Sequence, residues 1–303
     1  EDERYWRVQR LTTATNRGGD YWLVTTADGT QYRFGYTDET ANLPGYNSDY
    51  SAWWMVSPGC DNDLDLDPIN WRWNLDQVFD PHGNIIRIQW IAEHNNFCFI
   101  WDGRWHCYAD YNPCSGYDCR VIPQGYVRGG YVDQITYSWP NAAHKIRFIV
   151  ADRSDYPAQF DSRTAGIQFV QTFWSKKRLQ AIEIYSDGQG RLARRYVLTT
   201  SVENGFLVLN GIQEIAADGT RLPATTFGYL PLAGYSGNCV QGQSEGGWKP
   251  WLIGVSTGYG GSIGFNYTQW PGFQNGQIMG PREDNKCWYR YRVREVTVDP
   301  GVG

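Results

Sequence analysis

The sequence predicts an all-β protein built from long antiparallel hairpins. Three observations carry that expectation. Aromatic residues make up 16% of the 303 residues, beside 34 glycines and 14 prolines, an enrichment that suits pleated strands and tight turns rather than a helical bundle. Apolar and polar residues alternate in Ile135-Thr136-Tyr137-Ser138-Trp139, Ile146–Val150 and Ala181–Tyr185, the period of a strand. Turn dipeptides then punctuate the chain at short intervals. No apolar run approaches the roughly 20 residues that span a bilayer. A net charge of -5 argues against nucleic acid as the main partner. The chain opens on Glu1 without a visible signal segment, as expected of an excised or matured piece.

The elements follow in order. Tyr21–Ala27 and Thr30–Phe34 flank the turn Asp28-Gly29. Trp71–Phe79 and Ile85–Ile91 flank Asp80–Asn84, and Tyr131–Trp139 and Lys145–Ala151 flank Pro140–His144. Leu179–Tyr185 and Leu192–Thr199 flank Asp187–Gly190, and Phe206–Ala216 turns at Asp218-Gly219. Trp251–Ser256 and Ser262–Tyr267 flank Gly258–Gly261. No linker interrupts the series, so residues 1–303 read as a single extended β unit. Irregular stretches cover Thr37–Pro68 and Leu230–Lys249, and residues 94–128 read as a cysteine-rich insertion within the unit.

Seven cysteines point to an oxidising compartment, extracellular or at the cell surface. A two-residue turn at Asp102-Gly103 sets Trp101 opposite Arg104, Ile100 opposite Trp105, Phe99 opposite His106 and Cys98 opposite Cys107. That last pair falls where antiparallel strands approach most closely, within disulfide range, so a Cys98–Cys107 bond is expected. Cys114 and Cys119 bracket a short loop that a second bridge would close. Cys60, Cys239 and Cys287 are left over. The competing reading is a metal site of Cys98, Cys107, Cys114 and Cys119 with His94 or His106.

The hairpins share a theme that resembles a known family. Tyr21-Trp22-Leu23-Val24 with Asp28-Gly29-Thr30 and Phe34-Gly35, and Trp71-Arg72-Trp73-Asn74-Leu75 leading to Gly83-Asn84-Ile85-Ile86, are similar to hairpins of the RHS/YD-repeat shell proteins. Ile135-Thr136-Tyr137, Ile146-Arg147-Phe148 and Asp152-Arg153-Ser154-Asp155 continue the series. So do Lys177–Ile182, Arg195–Leu198, Gly211-Ile212, Asp218-Gly219-Thr220, Leu222–Tyr229 and Leu252–Tyr267. The collinear run from Tyr21 to Tyr267 resembles the toxin-complex B-component and virulence-protein members most. The resemblance implies strands that spiral into a hollow, twisted shell around a cargo polypeptide. It implies a structural or encapsulating role, with neighbouring segments of a larger secreted polypeptide, or its cargo, as partners. Tandem Tyr-Asp repeats are missing and the cysteine-rich stretch lies outside the pattern. Asp299–Gly303 has only a superficial likeness to the family's self-cleaving core motif, and no proteolysis is assigned to it.

Chemistry is sparse. Asp61, Asp63, Asp65 and Asp67 offer hard oxygens at alternate positions for Ca²⁺, without the Gly and final Glu of an EF-hand loop; an acidic solvated loop is the simpler reading. No cofactor beyond Ca²⁺ is implied. A glycosidase needs two carboxyls about 5–5.5 Å or about 6.5–9.5 Å apart. Carboxylates on or beside strands are Asp76, Glu93, Asp152, Asp155, Asp161 and Glu183, with Asp152, Asp155 and Glu183 the catalytic candidates. Trp53, Trp54, Trp101, Trp105 and Trp248 fall in loops or near turns, where flat faces meet sugars; Trp251, Trp270 and Trp288 are similar. Asn266-Tyr267-Thr268 matches a glycosylation acceptor. No Gly-x-Ser-x-Gly elbow and no phosphate-binding Gly-rich loop occurs. The expected function is a non-catalytic structural, encapsulating or adhesive module. The alternative is a carbohydrate-active enzyme, a glycoside hydrolase with a carboxylate pair, or a polysaccharide-binding module.

Overall fold

A computed structural model of the protein describes residues 5–37, 50–56, 68–101, 105–106, 118–137, 144–155, 175–186, 190–232, 235–236, 248–269, 287–288 and 291–301. Every regular element among them is a strand. Among the described residues no helix is long and apolar enough to cross a membrane. The backbone divides into two compact units, residues 1–152 with 156–193, and residues 153–155 with 194–303.

The first unit contains β1 (Arg7–Leu11), β2 (Tyr21–Thr25), β3 (Gln31–Phe34), β4 (Ala52–Val56), β5 (Pro68–Trp73) and β6 (Leu75–Phe79). It continues with β7 (Ile85–Trp101), β8 (Trp105–His106), β9 (Asp118–Tyr137), β10 (His144–Asp152) and β11 (Lys177–Tyr185). Antiparallel pairing runs β1–β2–β3–β6–β7–β9–β10–β11. β4 joins β9 at Met55 opposite Tyr126 and carries β5 on its other side.

The second unit contains β12 (Leu192–Glu203), whose first two residues fall in the first unit, then β13 (Phe206–Ala216), β14 (Thr225–Leu232) and β15 (Tyr235–Ser236). β16 (Lys249–Ser256), β17 (Ser262–Gln269), β18 (Cys287–Trp288) and β19 (Tyr291–Asp299) complete it. Its pairing runs β12–β13–β14–β16–β17–β19, all antiparallel, with β15 and β18 as a separate pair.

The turns explain the hairpins. In Thr26-Ala27-Asp28-Gly29-Thr30 the Thr26 N–H donates to the Thr30 carbonyl at 2.9 Å. Asp28 accepts from the Thr30 N–H and from the Thr26 and Thr30 hydroxyls. Those bonds, the Thr26 hydroxyl foremost, hold the Asp28 carboxyl below its ordinary range. Ala216-Ala217-Asp218-Gly219-Thr220 repeats the device, with Ala216 N–H to Thr220 C=O at 2.9 Å and Thr220 N–H to Asp218 at 2.9 Å. Gly29 and Gly219 sit at φ of +86° and +87°, a region a side chain disfavours.

Two expectations need correction. Trp71–Phe79 is not one strand. It breaks at Asn74, whose backbone and side-chain N–H groups both donate to the Ser51 carbonyl, at 2.8 and 3.0 Å, so β5 turns towards β4 while β6 stays with β3. Of residues 94–128, those at 94–101 and 118–128 lie in β7 and β9, which pair with Cys98 opposite Val121 and Ile100 opposite Cys119; residues 102–104 and 107–117 between them lie outside the described residues, apart from the short β8. The register beside Asp102-Gly103 differs from the expected one: Trp101 pairs with Trp105 and Ile100 with His106, one residue out, while the turn residues and the expected Cys98–Cys107 bond lie outside the described residues. The side chains of Cys98 and Cys119 and all of Cys107 and Cys114 lie outside the described residues, as do Cys60 and Cys239 and the Cys287 side chain.

Candidate functional site

The first unit's register sorts residues onto two faces. Opposed residues in an antiparallel pair point the same way. One line therefore runs Arg33, Gln77, Arg87, Thr136, Lys145, Tyr185 across β3, β6, β7, β9, β10 and β11. Beside it, on the same face, runs Gln89, Gln134, Arg147, Glu183. The other face carries Ile88, Ile135, Ile146 and Ile184. The polar lane is the more deeply buried of the two at its centre, with Arg87 2% exposed and Gln77, Gln89 and Thr136 also buried. Gln134 donates to Gln89 across the strands, and Lys145 lies 4.8 Å from the Tyr185 ring.

At one end of the lane Asp76 gathers donors from separate segments. Its carboxylate accepts from Arg33 Nε at 2.8 Å, the Tyr36 N–H at 2.8 Å and Ser51 Oγ at 2.9 Å. Ser51 Oγ in turn accepts the Thr37 N–H at 3.2 Å, and Ala52 N–H donates to the Thr37 carbonyl at 2.8 Å. Burial pushes the Asp76 carboxyl up, while Arg33, the Tyr36 N–H and Ser51 pull it back. Completely enclosed and surrounded by donors, Asp76 ties β3, β4 and β6 together and offers no face to a substrate.

A second acidic group joins β7 to the start of β11. Glu93 Oε1 accepts the Lys176 N–H at 2.9 Å, and Lys177 Nζ donates to Asp152 Oδ1 at 2.6 Å. Lys177 holds the Asp152 carboxyl low, Asp152 raises the Lys177 ammonium, and burial raises the nearby Tyr131 phenol. Asp152 is exposed and neutralised by its lysine, the opposite of the raised, proton-bearing carboxyl a glycosidase acid requires.

Of the expected catalytic carboxylates, Asp152 and Glu183 do not form a pair. Asp152 ends β10 opposite Lys177, whereas Glu183 lies six residues further along β11, roughly 20 Å at strand rise. Glu183 accepts from the Tyr185 hydroxyl at 2.7 Å. Asp155 belongs to the second unit. There Arg153 grips it with Nε and Nη2 at 2.9 and 2.6 Å, and the Leu207 N–H adds a bond at 3.0 Å. Those Arg153 bonds hold the Asp155 carboxyl below its usual range.

The expected tryptophan platform is distributed differently. Trp53 and Trp54 are not in a loop. Both lie in β4 and are buried, forming the core with Tyr126 and Val127 against Trp71, Trp90, Met55 and Ala92. Their indole faces are already occupied, Trp53 by Trp71 and Trp90 and by Arg72 4.7 Å away, Trp54 by Arg17 at 3.9 Å. Trp248 is exposed just before β16. Trp251 packs edgewise on Tyr267 and Tyr291. Trp101 and Trp105 sit in β7 and β8 with side chains outside the described residues. Asp61, Asp63 and Asp65 also lie outside them, as do Asp67, Asp161 and Trp270, and among the described residues no group of three or more His, Cys, Asp or Glu side chains converges as a metal site.

Sequence reading missed the partners rather than the acids. Nothing in the pattern of Lys177–Tyr185 marks Lys177 as the counter-ion of Asp152. The Asp76 network had a signal, a carboxylate in the middle of the aromatic and aliphatic run Leu75-Asp76-Gln77-Val78-Phe79.

No protein-family model and no curated protein matches this chain. Among solved structures it is similar to a TcdB2-TccC3-TEV crystal structure, at 13% identity and a TM-score of 0.44 over 96% of this chain and 14% of that one. It is similar to the N-terminal domain of effector protein SpvB from Salmonella typhimurium strain LT2, at 14% identity and a TM-score of 0.37 over 71% of this chain and 66% of that one. It is also similar to a porin-like protein from Bacteroides uniformis ATCC 8492, at 8% identity and a TM-score of 0.28 over 97% and 94%. The chain spans only a small part of the first of these.

Proposed function

We propose that this chain is a non-catalytic wall section, a β-sheet module of shell type within a larger, extracellular polypeptide. The observation that carries the reading is the unfinished burial of the second unit. Among its described residues Val208 is the only large apolar side chain that is buried, while Val202, Phe206, Leu230, Trp248, Ile253, Tyr259, Val293, Val296 and Val298 are exposed. A sheet cannot stably bury its apolar face against nothing, and contiguous exposed apolar surface marks a place where another surface docks. The collinear hairpin series that resembles RHS-type shells supports the same role. The carboxylates of the enzyme reading support it from the other side, since Asp76, Glu93, Asp152 and Asp155 each bond a residue from a separate segment of the chain.

Two measurements on the purified chain test this. The apolar dye ANS is expected to bind, and Val296→Ser with Val298→Ser to reduce that binding. A panel of polysaccharides is expected to show no release of reducing ends. Turnover of any glycan that Glu93→Gln or Asp155→Asn abolishes would overturn the proposal, and so would an absence of dye binding.

A further inference from the structure

We propose that the outer edge of β19 is a docking site for an extended strand of a different polypeptide segment. The strand lies antiparallel to β19, with apolar residues at alternate positions and basic residues opposite Glu295 and Asp299. This rests on the reading of the chain as one section of a larger sheet.

β19 pairs with β17 alone among the described residues, and eight of its nine residues are exposed. Val293, Val296 and Val298 show 46%, 52% and 69% of their surface. They are not scattered. Val298 stands opposite Ile263, Val296 opposite Phe265 and Val293 opposite Tyr267. The Val298 row continues inward through Val255 to Phe227. An apolar stripe thus crosses β14, β16, β17 and β19 and stops, exposed, at the edge. Natural edge strands are protected by shortness, lysine, proline or inward charge. β1 illustrates this by its shortness, with five residues. β19 has nine residues and neither lysine nor proline.

The row of backbone N–H and C=O groups along that edge fits one kind of occupant, another strand. Every pairing in the unit is antiparallel, so the added strand continues that sense. A second copy of β19 is a poor match. Antiparallel self-pairing centred on Arg294 or Glu295 sets like charges face to face, and centring on Thr297 sets Glu295 opposite Asp299. Centring on Val296 sets Val298 opposite Arg294 and Val293 opposite Asp299. Like charges directly opposite each other destabilise a pair. A foreign strand with lysines opposite Glu295 and Asp299, a glutamate opposite Arg292 and apolar residues opposite the valines satisfies every position.

The test uses the whole chain and a fluorescein-labelled, capped peptide of sequence Lys-Val-Thr-Ile-Lys-Val-Glu-Tyr, whose residues face Asp299 back to Tyr291 in turn with Arg294 bulged out, as it is against β17. Anisotropy is expected to show saturable binding. Amide hydrogen exchange is expected to slow at residues 291–299 and not at β1. Val296→Lys and Val298→Lys, both at exposed positions, are expected to weaken binding at least about ten-fold, and Val202→Lys on β12 to leave it unchanged. No binding, binding indifferent to both lysines, or protection of β19 through concentration-dependent self-association would each overturn the assignment. Glycan turnover, which would defeat the wall-section reading itself, is read by neither measurement, so the two failures are separable.

Discussion

The two units are made from the same hairpins and differ in what they bury. The turn Thr26–Thr30 of the first and Ala216–Thr220 of the second share the sequence Ala-Asp-Gly-Thr and the same bonds. Around the first lie an aromatic core on β4 and β9 and a layer of buried polar side chains. Around the second lie half-exposed strands with one buried valine among the described residues. Local sequence therefore sets the hairpin, and what packs on its faces sets whether the unit is complete. The difference also shows in charge. The first unit encloses Asp76 against burial, and the second holds Asp155 in an arginine fork.

The largest expected effects separate the units by core. Trp53→Ala is expected to cost about 3–5 kcal/mol by cavity formation, whereas Val208→Ala is expected to cost about 1–3 kcal/mol. Urea unfolding followed by hydrogen exchange in each unit reads the two; equal losses would erase the contrast. Asp76→Ala is expected to cost about 3–5 kcal/mol by stranding the Arg33 guanidinium, and Asp155→Asn about 1.5–3 kcal/mol through its charged hydrogen bonds.

The same pair gives opposite pH signs. Asp76 has its folded carboxyl raised above 3.8, so its contribution is fully present below that value and is lost as pH rises through the folded one. Asp155 has its carboxyl lowered from 3.8, so its contribution is present above that value and is lost as pH falls through the folded one. Stability measured against pH in Asp76→Asn and Asp155→Asn is expected to lose these opposing slopes; two slopes of the same sign would defeat the account.

The smaller effects sharpen the comparison of turns. Alanine at a left-handed glycine costs about 1–2 kcal/mol. Gly29→Ala is expected to cost more than Gly219→Ala, because its new Cβ meets Pro81 Cγ at 3.1 Å whereas Gly219 has no atom within 4 Å. Melting temperatures of the two variants decide it. Smallest is Lys177→Ala, about 0.2–1 kcal/mol for an exposed pair, an effect that added salt is expected to diminish.

How legible all this was depends on range. The Asp28-Gly29 and Asp218-Gly219 turns are written in adjacent residues and were readable. Asn204-Gly205 is just as explicit, with both residues at positive φ, 50° and 80°, but it is hidden by the apparent end of the strand at Thr199, whereas β12 continues to Glu203. Trp53 and Trp54 read as loop residues because their neighbours are Asn, Asp, Gly and Pro. The partners that make β4 a strand are β5, along its whole length, and Tyr126, far along the chain. The alternation of Arg87, Gln89, Gln134 and Thr136 was visible as polar residues, and a strand's pattern does not say which face is covered. The register at Trp101 failed because Asp102-Gly103 admits more than one loop length.

The pairing of β4 with β9 has a kinetic side. Most strands here meet a neighbour made moments earlier, so the sheet can grow in the order of synthesis. Met55 waits for Tyr126, about 70 residues later, and at roughly 5–20 residues per second that is about 4–14 s. During that interval Trp53 and Trp54 lack the Tyr126 and Val127 that cover them in the finished core, which makes this ribbon the interval of greatest risk for association with other nascent chains.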